Sequence, residues 1–324
     1  MNTSNTSSPP LDKADDCILA VHGGAGVISP EMMDSSRHAV YCEALEAALQ
    51  AGYAVLKRDG ASNLDAVVAA VCSLEDSPLF NAGKGAAFAR DGRIELDAAV
   101  MDGATRKAGA VAGVTTVKNP IIAARLVMDR SKHVLIIGQA ADDFARRHGA
   151  ETVVPDYFRT ESRWQLLQEE LRKHAGTPDE HAESRFGTVG SVALDARGNL
   201  AVGTSTGGMT GKLPGRLGDS PIIGGGTFAD NASCAVSATG DGEYFIRAVA
   251  AHDTAALVEY KELTVAQASR IVIHDKIRHA GGEGGVIVLD RHGNLAMTYS
   301  SEGMYRGYVT SSGKMRVMIY ADYL

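Results

Sequence analysis

The chain has 324 residues, 45% apolar and 22% charged, with a formal net charge of −7. That balance is globular and leaves room for one large domain or two ordinary ones. Net negative charge without a Lys/Arg cluster argues against nucleic acid as a partner, and no apolar run reaches the length of a membrane span.

Residues 1–15 read as a polar, disordered tail. Met1 to Pro10 holds no apolar core of a secretory signal, so a reducing cytoplasm is the expected compartment. Cys17–His22 is a short apolar strand. Ser29-Pro30 reads as a helix start. The helix that follows sets Tyr41, Ala44, Leu45, Ala48, Gly52, Val55 and Leu56 on one stripe and stops at Gly60. Ser62 with Asp65 opens a second helix to about Leu74. Asp91-Gly92 is a hairpin turn into the strand Ile94–Leu96, and Ala108–Val117 is another strand. Asn119-Pro120 caps a helix to about Met128. His133–Ile137 reads as a buried strand, and a short helix runs from there to about His148.

From about Pro155 to Gly187 the chain is polar and charge-dense, which predicts a flexible linker. Trp164, Leu167 and Leu171, at i, i+3 and i+7, predict a surface helix within it; the alternative is that the tryptophan docks over the Gly187 region. Strands resume after Thr188. A long helix is expected from Glu243 to Tyr260, and another from Leu263-Thr264 to about His279. The four cysteines show no C-x-x-C or metal spacing and read as reduced, buried thiols. The ten histidines show no metal spacing either.

One junction stands out. The polar stretch ends at Gly187-Thr188, and a core strand, Val189–Asp195, begins at once. Cleavage there would give Thr188 a hydroxyl nucleophile and its own α-amine as base. A free α-amine titrates at about 7.7–8.0, so it serves near neutral pH without burial. Gly187, lacking Cβ, suits the strained backbone that self-attack needs. The plainer alternative is that Thr188 only starts a hairpin. An internal repeat weighs on this: Gly187–Leu200 aligns with Gly282–Leu295, both reading as strand–turn–strand with Gly-Asn at the turn. The second copy has Glu283 opposite Thr188, so the hairpin itself does not demand threonine.

Several ordered motifs carry a resemblance. They are Val21-His22-Gly23-Gly24-Ala25-Gly26, Leu79-Phe80-Asn81-Ala82-Gly83, Gly187-Thr188-Val189-Gly190, Thr204-Ser205-Thr206-Gly207-Gly208-Met209, Pro214-Gly215-Arg216-Leu217-Gly218-Asp219-Ser220-Pro221 and Thr239-Gly240-Asp241-Gly242-Glu243. From about Ile18 to Arg306 the chain resembles the plant-type L-asparaginase/isoaspartyl peptidase family of N-terminal-nucleophile hydrolases.

The resemblance implies an α+β fold, a four-layer αββα sandwich of two mostly antiparallel sheets flanked by helices. It implies a single domain over 16–324 that cleaves itself into an α chain, 1–187, and a β chain, 188–324, assembled as a dimer of αβ units. The substrates would be L-asparagine and β-aspartyl dipeptides, with no cofactor for catalysis. Thr188 would be the nucleophile and Thr206 would orient it. Thr239 and Gly240 would form the oxyanion hole, and Asn81 would position the nucleophile. Arg216 would clamp the substrate carboxylate, while Asp219 and the Gly242 carbonyl would hold its ammonium. Backbone carbonyls of Leu74, Glu75, Ser77, Phe80, Ala82 and Lys84 would hold a sodium ion, with the Lys84 charge opposing it if turned inward. Asp241 would bring negative charge to the oxyanion side.

Rival readings are weaker. Gly203-Thr204-Ser205-Thr206-Gly207 fits G-x-S-x-G, but the Gly/Pro-rich sequence after it cannot form the helix that elbow needs. Gly23–Gly26 and Gly224–Thr227 lack the P-loop lysine and the dinucleotide spacing. A glycosylasparaginase would have His-Asp before its threonine, where this chain has Phe186-Gly187. A non-cleaving small-molecule-binding homologue is the remaining alternative.

Overall fold

The computed structural model describes residues 17–26, 28, 33–58, 60–173 and 187–320. The predicted tail, the Ser29-Pro30 helix start and the 174–186 part of the linker lie outside these residues. Two sheets form the centre. The larger has the order β12-β11-β1-β5-β6-β2-β3-β4, and the smaller β10-β9-β8-β7. The strands of the large sheet are β1 (Cys17–Gly26), β2 (Leu96–Asp102), β3 (Ala108–Val114), β4 (Leu135–Ile137), β5 (Val189–Leu194), β6 (Leu200–Thr206), β11 (Gly303–Thr310) and β12 (Met315–Met318). Those of the small sheet are β7 (Thr227–Ala229), β8 (Cys234–Gly240), β9 (Gly284–Asp290) and β10 (Leu295–Tyr299). Every pairing is antiparallel except β3 with β4.

Strand alternation builds the layers. On β1, Leu19 and Val21 join one core and Ala20 the other; on β5, Val189 and Ala193 oppose Val192 and Leu194. The first core lies under α1 (Ser35–Leu56), α2 (Asn63–Glu75) and α3 (Pro120–Arg130). The second fills the space between the sheets and continues under α6 (Gly242–Ala248), α7 (Ala250–Lys261) and α8 (Val265–Arg270). The result is the expected helix–sheet–sheet–helix sandwich.

Local chemistry sets the helix ends. Asp34 caps α1 by accepting from Arg37 N, and the predicted stripe buries Leu45, Ala48 and Gly52. Ser62 caps α2 through Asp65 N, as predicted. The Asn119 side chain makes no cap bond to α3; the buried Glu75 carboxyl accepts from Ile121 N instead.

Three expectations need correction. His133–Ile137 is not a buried strand: β4 is a short parallel edge strand, with Leu135 41% and Ile137 62% exposed. The helix expected over 243–260 is two helices, α6 and α7, separated by Val249 at φ +50°. The break lets Ala251 N and His252 N donate to the Gly225 and Gly224 carbonyls. The linker expected over 155–187 is ordered in its first half. A 3-10 turn, Pro155–Phe158, buries Phe158, and α5 (Glu161–Lys173) buries Leu167. Trp164 packs edge-on against Phe88 at 5.3 Å, with the Arg159 guanidinium over its ring. Apolar anchors thus fix a segment that looks polar by composition. Between β4 and His148 lies the predicted short helix, α4 (Gly138–Arg147).

The repeat is structural. β5–β6 and β9–β10 are hairpins with the same turn chemistry. Asp195 Oδ1 accepts from Arg197 N and Asn199 N; Asp290 Oδ1 accepts from His292 N and Asn294 N.

Candidate active site

Thr188 stands just before β5 and is buried; Thr206 ends β6, the neighbouring strand. Their hydroxyls meet, Thr188 Oγ donating to Thr206 Oγ at 3.0 Å. The Thr206 hydroxyl also accepts from Gly208 N at 3.0 Å, which leaves it little rotational freedom. Asn81 ties the surroundings together. Its N–H donates to the Gly187 carbonyl, its Nδ2 to the Gly208 carbonyl at 2.6 Å, and its Oδ1 accepts from Ala87 N. The backbone packs too closely here for side chains. A Cβ on Gly187 would lie 2.6 Å from Asn81 Cβ, and one on Gly24, at φ +108°, would overlap Gly187 Cα.

The end of β1 joins this group to the second. Ala25 N donates to Thr239 Oγ at 3.4 Å. Thr239 and Gly240 end β8, paired with Gly285 and Gly284 of β9. Asp241 turns its carboxylate to Glu283 N at 2.8 Å, extending the β8–β9 ladder. It is also the N-cap residue of α6, without a side-chain cap bond. Below lies a buried polar chain. His22 Nε2 bonds Ser237 Oγ, Ser237 shares a hydrogen bond with Thr204, and Thr227 Oγ donates to Thr204. Burial pushes the His22 imidazole down to about 3, against a small opposing pull from the Thr188 backbone, so it is neutral.

The third group is Arg216, Asp219 and Gly242. A Cβ on Gly242 would lie 3.0 Å from both Arg216 Nη2 and Asp219 Oδ1, so the two charged groups converge on this glycine. Arg216 is engaged by Glu243 in a two-pronged ion pair, Nε to Oε1 at 2.8 Å and Nη2 to Oε2 at 2.7 Å. Asp219 is buried, and its Oδ2 has no hydrogen-bond partner among the described residues. Burial raises its pKa to about 7; the Glu243 and Asp241 charges add to the rise and Arg216 opposes it.

The loop after α2 curls back on itself. Cβ atoms on Gly83 and Gly85 would overlap the carbonyl oxygens of Glu75 and Phe80, and Pro78 O is also close. The Leu74 carbonyl accepts from Ser77 N and that of Ala82 from Gly85 N. Carbonyl oxygens of Glu75, Pro78 and Phe80 thus lie close to Gly83 and Gly85, and oxygen donors are the kind an alkali cation takes. The Lys84 ammonium sits over the Tyr157 ring at 5.6 Å. Among the described residues no side-chain cluster is arranged to hold a metal ion, and no helix is long and apolar enough to cross a membrane. Cys234 is buried, whereas Cys42 and Cys72 are only half-buried.

Sequence reasoning missed several residues that share this site. Glu243 was visible inside its motif, but its pairing with Arg216 depends on the loop that carries the arginine. Lys212, Glu95 and Asp97 are charged yet buried. Their signal was two carboxylates, Glu95 and Asp97, flanking Leu96 at the start of an apolar strand. Ser205, within the G-x-S-x-G match, lies buried in β6 with no helix after it.

Comparisons with known proteins identify the family. The asparaginase family profile matches residues 15–319. An isoaspartyl peptidase of Escherichia coli (strain K12) is 51% identical over 311 residues, covering 94% of this chain and 96% of the relative. A putative isoaspartyl peptidase/L-asparaginase of Dictyostelium discoideum is 44% identical, covering 90% and 93%. A probable isoaspartyl peptidase/L-asparaginase 2 of Arabidopsis thaliana is 39% identical, covering 93% and 98%. With its sandwich, its paired threonines and a match along nearly its whole length, the chain belongs to the asparaginase family.

Proposed function

We propose that this protein is an autoprocessing amidohydrolase acting on L-asparagine and β-aspartyl dipeptides. The observation that carries the reading is the Thr188–Thr206 hydroxyl pair, set at the junction where one peptide bond separates the stretch before β5 from the core. In the first step Thr188 Oγ attacks the Gly187 carbonyl carbon. The C–N bond breaks as the acyl group moves from nitrogen to oxygen, and water hydrolyses the ester. Thr188 then carries a free α-amine, and its side chain keeps the Thr206 contact.

In turnover the amine takes the Thr188 hydroxyl proton as Oγ attacks the side-chain carbonyl of the aspartyl group. Thr239 and the Gly240 N–H stabilise the oxyanion, a contribution of about 3–4 kcal/mol per donor in comparable sites. Ammonia leaves from asparagine, or an amino acid from a β-aspartyl dipeptide. Water releases L-aspartate from the ester.

Arg216 holds the α-carboxylate, and Asp219 with the Gly242 carbonyl holds the α-ammonium. The convergence of Arg216 and Asp219 on Gly242 supports this assignment, because a zwitterion needs both signs at one place. Asn81 positions the junction through the Gly187 carbonyl. The carbonyls of Leu74, Glu75, Ser77, Phe80, Ala82 and Lys84 would hold a sodium ion that stiffens the loop carrying Asn81; catalysis needs no cofactor. Small-molecule substrates acting in the cytoplasm and a dimer of αβ units complete the reading, with no nucleic-acid or membrane partner.

Intact-mass spectrometry after incubation at neutral pH tests it. The expected result is two chains, 1–187 and 188–324, with Thr188→Ala remaining whole and inactive. Cleavage of that variant at the same bond would sink the self-processing step.

A further inference from the structure

Behind Thr206 lies a group of buried charges that the reaction above does not use. Lys212 is 5% exposed, and its ammonium donates to the Glu95 carbonyl at 2.9 Å. It is also held close to the turn that follows β6. A Cβ on Gly208, which sits at φ +80°, would lie 2.8 Å from Lys212 Cδ and 3.0 Å from Nζ. The lysine stem therefore packs directly beneath Gly208. That residue donates its N–H to the Thr206 hydroxyl and gives its carbonyl to Asn81 Nδ2.

Asp97 completes the group. It pairs across the sheet with Thr206 and is 1% exposed. Its Oδ1 accepts from Gly113 N, and its Oδ2 has no hydrogen-bond partner among the described residues. Its strongest charge interaction is with Lys212. Burying an ammonium is costly unless it is compensated, and here the compensation comes from Asp97 and the Glu95 carbonyl. The same glutamate fixes the far side of the loop, its Oε2 accepting from Gly215 N at 2.8 Å, next to Arg216.

We propose that Lys212 is a positioning residue for the nucleophile. Its ammonium bonds the Glu95 carbonyl and feels the Asp97 charge, its stem props the Gly207-Gly208 turn, and that turn fixes the Thr206 hydroxyl against Thr188. This rests on the hydrolase reading above. Lys212 touches neither substrate nor reacting atoms and acts through Gly208 and Thr206. A mispositioned Thr206 slows attack, whereas the substrate anchors Arg216 and Asp219 keep their own supports.

The experiment is a double-mutant cycle of Lys212→Met and Thr206→Val, reading the rate of 187/188 cleavage and, on cleaved protein, kcat and KM for L-asparagine. Lys212→Met, similar in length and uncharged, should lower both rates about ten- to a hundredfold, with KM within about twofold. The double variant should be no slower than the worse single by more than about threefold, because both changes act on one hydroxyl. Fully multiplicative losses, a kcat within twofold of the parent, or a KM that rises as kcat falls would overturn the proposal. If Lys212→Met does not fold, Asp97→Asn replaces it. That variant keeps the shape, removes the facing charge, and should lower kcat at least threefold at constant KM; an unchanged kcat counts against the role. A parent protein that neither cleaves nor hydrolyses sinks the hydrolase reading and this one with it. An active parent with an indifferent Lys212→Met sinks this one alone.

Discussion

If Asp219 holds the substrate ammonium as proposed, substrate choice depends on pH. Its carboxyl is buried, lacks a hydrogen-bond partner at Oδ2, and titrates near 7 in the ligand-free protein. Holding an ammonium requires the ionised form. The sign follows from the raised pKa: protons compete with substrate, so binding weakens as pH falls. With a pKa of about 7, Asp219 is about 90% ionised at pH 8 and about 10% at pH 6, so the apparent affinity for an ammonium-bearing substrate drops roughly tenfold. The Thr188 amine titrates in the same range and would blur a simple pH profile. Succinamate removes that ambiguity, since it is asparagine without the α-amine and uses the same nucleophile. The ratio of kcat/KM for asparagine to that for succinamate cancels the titrations common to both, leaving those of Asp219 and of the asparagine ammonium, which loses its proton only toward pH 8 and above. Steady-state rates at pH 6, 7 and 8 should show this ratio falling about tenfold from pH 8 to pH 6. A flat ratio would mean that Asp219 does not hold the ammonium, or that it is already ionised at pH 6.

Three further outcomes follow from single contacts. Glu243→Gln frees Arg216 from an ion pair whose side chains are 16% and 50% exposed. Such a half-exposed pair is worth about 0.2–1 kcal/mol, so KM should fall about 1.5- to fivefold at constant kcat; a higher KM would show that Glu243 supports the arginine rather than competing with the substrate. Gly24→Ala forces a Cβ into Gly187 from a φ of +108°. A strain of about 1–3 kcal/mol should lower Tm by roughly 2–6 °C and slow the 187/188 cleavage, and parent-like values for both would refute the close packing. Val249→Gly relieves a β-branched residue at φ +50° that is 47% exposed. Relief of about 1–2 kcal/mol, less about 0.5–1 for glycine entropy, should raise Tm by up to about 3 °C; a fall beyond 2 °C in differential scanning calorimetry would show that the side chain packs more than it strains.

What could be read from the chain was whatever is written locally. Ser62 caps α2 because its hydroxyl reaches three residues ahead, a relation held within one turn. Alternating strands and one-striped helices indicate only a layered mix of α and β; the four-layer sandwich is what the family resemblance implies. What depends on distant partners was not legible. The exposure of Leu135 and Ile137 reflects their place on the sheet edge, which the segment's own sequence does not record. The break at Val249 has no glycine to announce it; carbonyls of Gly224 and Gly225, some 25 residues earlier, take the first amides of α7. Composition also misjudged residues 155–173, because Phe158, Trp164 and Leu167 are few but well placed. At the site, Thr188 and Thr206 stood in recognisable motifs. The Lys212 contact with Glu95 spans 117 positions and leaves no local trace beyond charged residues in apolar company.

The twin hairpins separate architecture from chemistry within one molecule. β5–β6 and β9–β10 share their turn, their side-chain bonds to Asp195 or Asp290, and a turn glycine at φ +77°. They differ where each first strand begins. Glu283 gives its backbone N–H and carbonyl to Asp241 and so lengthens a ladder. Thr188 instead turns its hydroxyl to another threonine, beside a Gly187 carbonyl held by Asn81. A hairpin that needed a particular residue there for folding would show it twice. Because the second copy does without threonine and finds its stability in backbone bonds, the hydroxyl of the first is free for a task other than folding. That hydroxyl meets Thr206, whose own hydroxyl takes the Gly208 amide, with Lys212 packed beneath Gly208. On the proposed reading, this corner of the fold orients one oxygen rather than supporting one strand.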